Sequence, residues 1–112
     1  MKKIVIIGAG AMGSAFSVPC GDNSHEVFLV GSFLEDDLIN EINKLDNFHP
    51  ILRCQLPKEV KVIKFSEFEK EINEKIDLLV VGVSSKGIDW IGDEISKFYN
   101  KNTNILLLTK GL

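Results

Sequence analysis

A run of four β-branched residues that ends in a glycine-rich segment constrains the fold of this chain more than any other feature. Residues 4–7 read IVII, and the six residues that follow have the spacing G-x-G-x-x-G. A short apolar run closed by glycine is typical of a strand buried on both faces of a parallel sheet. The next segment, from Ala11 to about Asp22, predicts a helix, and Pro19 is expected to kink it or end it early.

Strand-like and helix-like segments alternate along the remaining chain. Further strands are predicted at 27–30, 60–64, 78–83 and 104–109, and helices at 34–45, from 66 onward and at 88–98. Such alternation implies parallel βαβ units with right-handed crossovers. We therefore predict an α/β fold, an open and doubly wound parallel sheet of the Rossmann type with strand order 3-2-1-4-5.

Two of these helices and one connection carry more detailed predictions. The helix at 34–45 has Leu38, Ile42 and Leu45 on one face, which is expected to pack on the sheet. The next helix is expected to start with an S-x-x-E capping box, formed by Ser66 and Glu69. Residues 46–58, which include two prolines, are predicted to form a loop.

Length and charge limit the classes of function. The 112 residues carry 13 Lys and Arg against 16 Asp and Glu, a net charge of −3, so one domain covering 1–112 with no clustered basic face is expected. This balance argues against charge-driven binding of nucleic acid. No apolar stretch approaches the ~18 residues of a spanning helix, and Cys20 and Cys54 form no C-x-x-C motif. We expect a cytoplasmic protein with no membrane insertion and no metal.

The glycine-rich turn carries most of the functional signal. Between a strand and a helix, Gly8 makes the tight turn, Gly10 lets a pyrophosphate approach the backbone, and Gly13 lets helix and strand pack closely. The free N–H groups and positive dipole end of the helix would then face phosphates. The turn predicts dinucleotide binding. The alternative, three glycines that serve only a tight connection, stays open on the sequence alone.

The residues after the second strand bear on coenzyme choice. An Asp or Glu about 20 residues beyond the glycines would bond the ribose 2′-OH of NAD, but Gly31, Ser32 and Phe33 stand there. The Ser32 hydroxyl and nearby N–H groups suit a 2′-phosphate, although no Arg is present to clamp it. Glu35 and the two acidic residues after it are interpreted as favourable charges in a first helical turn. The cofactor is therefore NAD or NADP, with NADP slightly favoured.

Other polar and aromatic residues have weaker assignments. Ser84 and Ser85 follow the fourth strand at the edge where ligands of such sheets bind, and they are expected to line the nicotinamide-side ribose or to cap the next helix. Trp90 lies off the apolar stripe of that helix and is either plain surface or a contact for a further domain. His25 and His49 have no carboxylate at helical spacing, so both are interpreted as structural.

Several stretches together resemble one known family. These stretches are GAGAMGSA at 8–15, VP at 18–19, DNSHEV at 22–27, TKGL at 109–112 and the loop from His49-Pro50 to Leu56-Pro57. They are similar to the N-terminal domain of NAD(P)-dependent glycerol-3-phosphate dehydrogenase. The resemblance covers essentially the whole chain, and the glycine motif together with the terminal Lys-Gly is more specific than the glycine motif alone.

The resemblance implies roles for particular residues. The backbone at Ala11 and Met12 would hold the pyrophosphate, Ser32 would stand where many members have Arg, and Lys110 would contact both the nicotinamide end and the substrate. The implied cofactor-binding set is Gly8, Gly10, Ala11, Met12, Gly13, Ser32, Ser84, Ser85 and Lys110. The implied reaction is reversible hydride transfer between the nicotinamide and dihydroxyacetone phosphate, which gives sn-glycerol 3-phosphate.

Family members continue into a helical domain that supplies the proton-transferring Lys and most of the substrate-phosphate site. The 112-residue chain is therefore expected to be a fragment that is inactive alone and holds no catalytic residue of its own, with the oligomeric state left open. Two other classes of function remain: another reductase, acting on hydroxyacids or ketopantoate, and a non-enzymatic module that senses nucleotides. The Lys110-Gly111 end favours the dehydrogenase.

Overall fold

The protein is described by a computed structural model, which covers residues 2–22, 25–71, 76–82, 92–93 and 104–107. Strands and helices follow one another in the order β1 (Lys3–Ile7), α1 (Ala11–Asp22), β2 (Glu26–Val30), α2 (Asp36–Lys44), β3 (Phe48–His49), β4 (Cys54–Gln55), β5 (Val60–Ile63), α3 (Phe65–Glu71), β6 (Leu78–Val81) and β7 (Asn104–Leu107).

Five of the strands form one parallel sheet in the order β5-β2-β1-β6-β7. The central strand β1 pairs with β2 on one side and with β6 on the other, so that Val5 lies opposite both Phe28 and Leu79. The third, fourth and fifth predicted strands correspond to β5, β6 and β7. The predicted order 3-2-1-4-5 is confirmed.

Alternate residues of the strands feed two separate hydrophobic clusters, one on each face of the sheet. Val5 and Ile7 point to the face covered by Phe65 and Phe68 of α3. The residues between them point to the opposite face, where α2 contributes Ile39 and α1 packs partly buried apolar side chains. Each fully buried aliphatic or aromatic side chain contributes about 1.5–3 kcal/mol to folding. Both faces are covered, which confirms the doubly wound architecture.

The first two helices differ in detail from their predicted forms. α1 has the predicted extent, from Ala11 to Asp22, but the early end expected at Pro19 does not occur, because one proline removes a single main-chain hydrogen bond and leaves the flanking ones in place. α2 begins only at Asp36, and its buried residues are Ile39 and Ile42. Leu45, expected on that buried face, lies at the C-cap and is 43% exposed. It lies outside the helical stripe because the helix ends before it.

The third helix also begins differently from its prediction. α3 begins at Phe65, and the N–H groups of Glu67 and Phe68 both bond to the Lys64 carbonyl. The Glu67 carboxylate accepts a hydrogen bond from the Lys64 N–H at 3.3 Å. The residue pair that closes the helix start is therefore Lys64 and Glu67, two positions earlier than the predicted Ser66 and Glu69.

Residues 46–58, predicted to be a loop, contain a small antiparallel hairpin. In it, Phe48 of β3 pairs with Gln55 of β4. Asn47 has φ 68°, and its Nδ2 donates to the carbonyls of Pro57 at 3.1 Å and Val60 at 2.8 Å. This side chain holds the hairpin against the start of β5. We call residues 46–58 the hairpin segment.

Candidate functional site

The turn between β1 and α1 uses two of its three glycines to build the fold. Gly8 has φ 111°, a conformation that glycine adopts without steric cost, and its N–H continues the sheet by bonding to the Val30 carbonyl at 2.7 Å. A Cβ added to Gly13 would overlap the Gly8 carbonyl oxygen. The tight turn and the close approach of helix to strand therefore require glycine at these two positions.

Gly10 differs from the other two glycines. A Cβ added there would meet no atom within 4 Å, and its backbone lies outside the left-handed region. Neither packing nor conformation within the described chain requires a glycine at this position. The space that a side chain would fill lies in front of the turn and is open to a ligand. A purely structural explanation of the glycine motif leaves this residue unaccounted for.

The beginning of α1 offers hydrogen-bond donors to the same space. The first bond of the helix runs from the Ser14 N–H to the Gly10 carbonyl at 3.0 Å. The N–H groups of Ala11, Met12 and Gly13 precede it, and first-turn groups of this kind have no acceptor within their own helix. Since the N-cap residue is Gly10, which has no side chain, it does not cap them itself. The arrangement suits an anion, which the helix dipole also favours.

The peptide groups of Ala9 are fixed from three directions. The Ala9 N–H donates to Oε1 of Glu35 at 3.0 Å. Its carbonyl accepts from Oγ of Ser14 at 2.9 Å and lies 2.9 Å from Nε2 of His49. Ala9 itself is fully buried. The turn is therefore held rigidly before any ligand arrives, which lowers the entropy lost on binding.

His49 connects the hairpin segment to this turn. The ring is 1% exposed, and its Nδ1 accepts a hydrogen bond from the Leu52 N–H at 3.2 Å. Because Nδ1 accepts, the ring proton is assigned to Nε2, which then donates to the Ala9 carbonyl. Both ring nitrogens serve backbone groups, in agreement with the structural role predicted for this residue. His25 also accepts from a backbone group, the Lys2 N–H at 3.2 Å.

The end of β2 holds a carboxylate that the sequence argument had not placed there. Oε1 of Glu35 accepts from the Ser32 N–H at 2.8 Å as well as from Ala9. Glu35 is the N-cap of α2, a helix described along its whole length, yet its side chain makes no capping bond to that helix. The interpretation of Glu35 as a charge for the helix dipole alone is therefore incomplete. The S-x-x-E spacing of Ser32 and Glu35 was the signal that could have revealed this contact.

The structure brings six of the predicted site residues together. Gly8, Gly10 and Gly13 form the turn, and Ala11 and Met12 are the first residues of α1. Glu35 links that turn to Ser32 at the end of β2. Gly82, directly after β6, lies against the beginning of α1, where an added Cβ would be 3.3 Å from the Gly13 Cα. This is the edge at which the strand order reverses, the usual ligand position in open parallel sheets. Ser84, Ser85, Trp90 and Lys110 lie outside the described residues.

The described ranges bear on two other kinds of feature, a membrane span and a metal site. None of their helices has the length and apolar character needed to cross a membrane. They also contain no group of three or more His, Cys, Asp or Glu side chains that could hold a metal ion.

A family model and two relatives of similar sequence indicate one family. A family model described as NAD-dependent glycerol-3-phosphate dehydrogenase N-terminus matches residues 3–112. The glycerol-3-phosphate dehydrogenase [NAD(P)+] of Oceanobacillus iheyensis is 29% identical over 112 residues, which are 100% of this chain and 31% of that protein. The NADP(+)-dependent glycerol-3-phosphate dehydrogenase of Archaeoglobus fulgidus is 35% identical over 109 residues, covering 97% and 31%. The chain thus spans about a third of the length of these relatives.

Solved structures share the fold. The crystal structure of glycerol-3-phosphate dehydrogenase from Coxiella burnetii has a TM-score of 0.81 at 20% identity, over 99% of this chain and 33% of that one. A protein from Enterococcus faecalis, whose crystal structure is described as that of a putative 2-dehydropantoate 2-reductase, has a TM-score of 0.69 at 25% identity. The match covers 98% of this chain and 34% of that one.

Proposed function

The chain belongs to the NAD-dependent glycerol-3-phosphate dehydrogenase N-terminus family, and we propose that it forms the part of such an enzyme that binds NAD(H) or NADP(H). The observation that carries this proposal is Gly10. Its missing side chain leaves open space in front of a helix N-terminus, and as the N-cap residue it offers no side chain to the first N–H groups of that helix. A dinucleotide pyrophosphate is an anion that needs both features.

The proposed site extends along the carboxyl edge of the sheet. The N–H groups of Ala11 and Met12 bind the pyrophosphate above the turn formed by Gly8, Gly10 and Gly13, and Ser32 lies beside the adenosine ribose. Ser84 and Ser85 line the ribose next to the nicotinamide, and Lys110 contacts both the nicotinamide end and the substrate. Support for these roles comes from the geometry of the turn and, for the last three residues, from the family resemblance alone.

The reaction that we propose for the whole enzyme interconverts dihydroxyacetone phosphate and sn-glycerol 3-phosphate. When bound, the nicotinamide supplies or accepts the hydride at C2 of the substrate. The chain's own residues bind and orient the coenzyme, and Lys110 provides a positive charge where the substrate oxygen becomes negative. A small phosphorylated substrate is consistent with the names of the relatives from Oceanobacillus and Archaeoglobus.

We propose further that the substrate is held jointly by this chain and a helical domain, and that residues 1–112 alone have no dehydrogenase activity. The relatives are about three times as long as this chain, which supports a second substrate-binding part. Groups that act together in catalysis lose nearly all activity when some are removed. The proposed setting is the cytoplasm and the synthesis of glycerolipids, with assembly into a homo-oligomer.

Replacement of Gly10 by Val tests the proposed site. The added side chain enters the open space, so NADH and NADPH binding should fall at least about 100-fold, while the free energy of unfolding changes by no more than about 1 kcal/mol. Titration calorimetry and urea denaturation measure the two quantities. Gly92→Val is the matched control, because an added Cβ there also meets nothing within 4 Å. Equal coenzyme affinity in Gly10→Val and in the unchanged chain would refute the proposed site.

A further inference from the structure

Glu35 has an unusual position for a residue at a helix N-terminus. Its carboxylate turns away from α2 and accepts two backbone N–H groups, one from the glycine-rich turn and one from the segment after β2. These two segments border the place where the adenosine ribose lies in parallel sheets of this kind. Glu35 thus brings a negative charge to that place from a position five residues beyond the end of β2.

The same N–H groups are those that an incoming phosphate would use. At the adenosine end of a dinucleotide site, a 2′-phosphate is bound by cationic side chains, hydroxyls and backbone N–H groups. Here the Gly31 N–H is bonded to the Ile63 carbonyl of the sheet, and the Ser32 N–H is already bonded to Glu35 at 2.8 Å. A 2′-phosphate would have to displace the carboxylate or tolerate it as a like charge. A ribose 2′-OH can instead donate a hydrogen bond to it.

We infer that Glu35 determines coenzyme choice and makes this chain favour NAD(H) over NADP(H), an inference that rests on the proposed coenzyme site. This reverses the slight preference for NADP predicted from the sequence, because that prediction assumed that no carboxylate lies at the end of β2. Ser32 remains at this edge, but its N–H donates a hydrogen bond to the Glu35 carboxylate. The relative from Archaeoglobus fulgidus is named NADP(+)-dependent, so the family itself does not fix this property.

Replacement of Glu35 by Gln isolates the charge from the geometry. In Glu35→Gln the side-chain amide oxygen can still accept both backbone N–H groups, so the turn keeps its shape while the negative charge is lost. The affinities of the protein for NADH and NADPH are measured by titration calorimetry at low and at moderate salt. Adenosine 2′-monophosphate and adenosine 5′-monophosphate serve as probes of the adenosine end alone.

The matched control is Asp37→Asn, which removes the same charge from an exposed residue of the first turn of α2. In Glu35→Gln the ratio of NADPH to NADH affinity should rise about tenfold, while Asp37→Asn should change it by less than about twofold. The gain should shrink as salt rises, because the site is only half-buried and its charges are screened. Adenosine 2′-monophosphate should gain affinity and adenosine 5′-monophosphate should not.

Four other outcomes would overturn the inference, and they have different meanings. An equal loss of both coenzymes in Glu35→Gln would make Glu35 a structural tie without a role in specificity. An equal gain in NADPH affinity in Glu35→Gln and Asp37→Asn would mean that any negative charge near the start of α2 has the same effect. If the unchanged chain binds neither coenzyme, the proposed function fails and takes the inference with it, whereas an unchanged ratio with intact binding overturns the inference alone.

Discussion

The glycine-rich turn and the hairpin segment meet at the Ala9 carbonyl, but they are held in place by different physics. The turn is fixed by backbone sterics within six residues, through the φ of Gly8 and the contact between Gly13 and Gly8. The hairpin segment is fixed by side chains that reach distant backbone groups, namely Asn47 to Val60 and His49 to Ala9. The backbone path of the turn depends on the missing side chains of Gly8 and Gly13, whereas the position of the hairpin segment depends on the side chains of Asn47 and His49.

This difference teaches which kind of change each region tolerates. The turn depends on close backbone packing, so an added atom at Gly13 destabilises it, because the group it meets is the Gly8 backbone carbonyl, which cannot move aside easily. A region built by hydrogen bonds fails by the loss of each bond and by the cost of the buried groups left unpaired. Three substitutions test this contrast, in order of decreasing effect on stability.

The largest effect is expected for Gly13→Ala. Its methyl group would overlap the Gly8 carbonyl oxygen, so helix and strand must move apart. The free energy of unfolding should fall by about 3 kcal/mol or more, measured by urea denaturation. Gly10→Ala is the control, because its methyl group enters open space, and it should cost no more than about 1 kcal/mol. Similar losses in the two variants would contradict the steric account of the turn.

An intermediate effect is expected for Asn47→Ala. The change removes two hydrogen bonds to backbone carbonyls and leaves alanine at φ 68°. Together these should cost about 2–3 kcal/mol. Asn47→Gly separates the two contributions, because glycine accepts the backbone conformation and should recover about 1 kcal/mol of the loss. Equal destabilisation by alanine and glycine would show that the left-handed conformation at residue 47 contributes nothing to the stability loss.

The smallest effect of the three is expected for His49→Phe. The ring volume is nearly kept, while the Ala9 carbonyl retains Ser14 as a donor and the Leu52 N–H loses its acceptor. The stability loss should be about 1–2 kcal/mol. Coenzyme affinity should also fall a few-fold, because the turn is less firmly held. His25 directly precedes β2, at the end of that strand away from the proposed site. His25→Phe should therefore leave coenzyme affinity unchanged. An equal loss of coenzyme affinity in His25→Phe would contradict the connection of His49 to the site through Ala9.

The sequence was sufficient for the parts of the molecule that follow from local periodicity. The run IVII and the glycine spacing fix a buried strand, a turn and a helix within the first 22 residues, and the alternation of segments fixes the strand order. These features depend on neighbours in the chain and on a few general rules of connection. They are correct because short-range sterics and burial leave few alternatives.

The remaining features depend on contacts between segments far apart in sequence. Glu35 was assigned to its own helix because its partner, the Ala9 N–H, lies 26 residues earlier. The hairpin at Phe48–His49 and Cys54–Gln55 has strands of two residues, too short for period-two alternation to show. The S-x-x-E pattern occurs twice, and at Ser66 it misplaces the helix start while at Ser32 it marks a real contact. Only packing decides between such equal local patterns.

The central place of β1 in the sheet also determines when the domain can finish folding during synthesis. The first neighbour of β1 is β2, close behind it in the chain, but its second neighbour is β6, and the bond from the Lys3 N–H to Asp77 spans 74 residues. At translation rates of about 5–20 residues per second, the ribosome needs on the order of 4–15 seconds for that distance. During this interval the nascent chain presents β1, the central strand of the finished sheet, as an open sheet edge. Chaperones that bind extended apolar segments therefore have a defined interval, and a defined strand, on which to act.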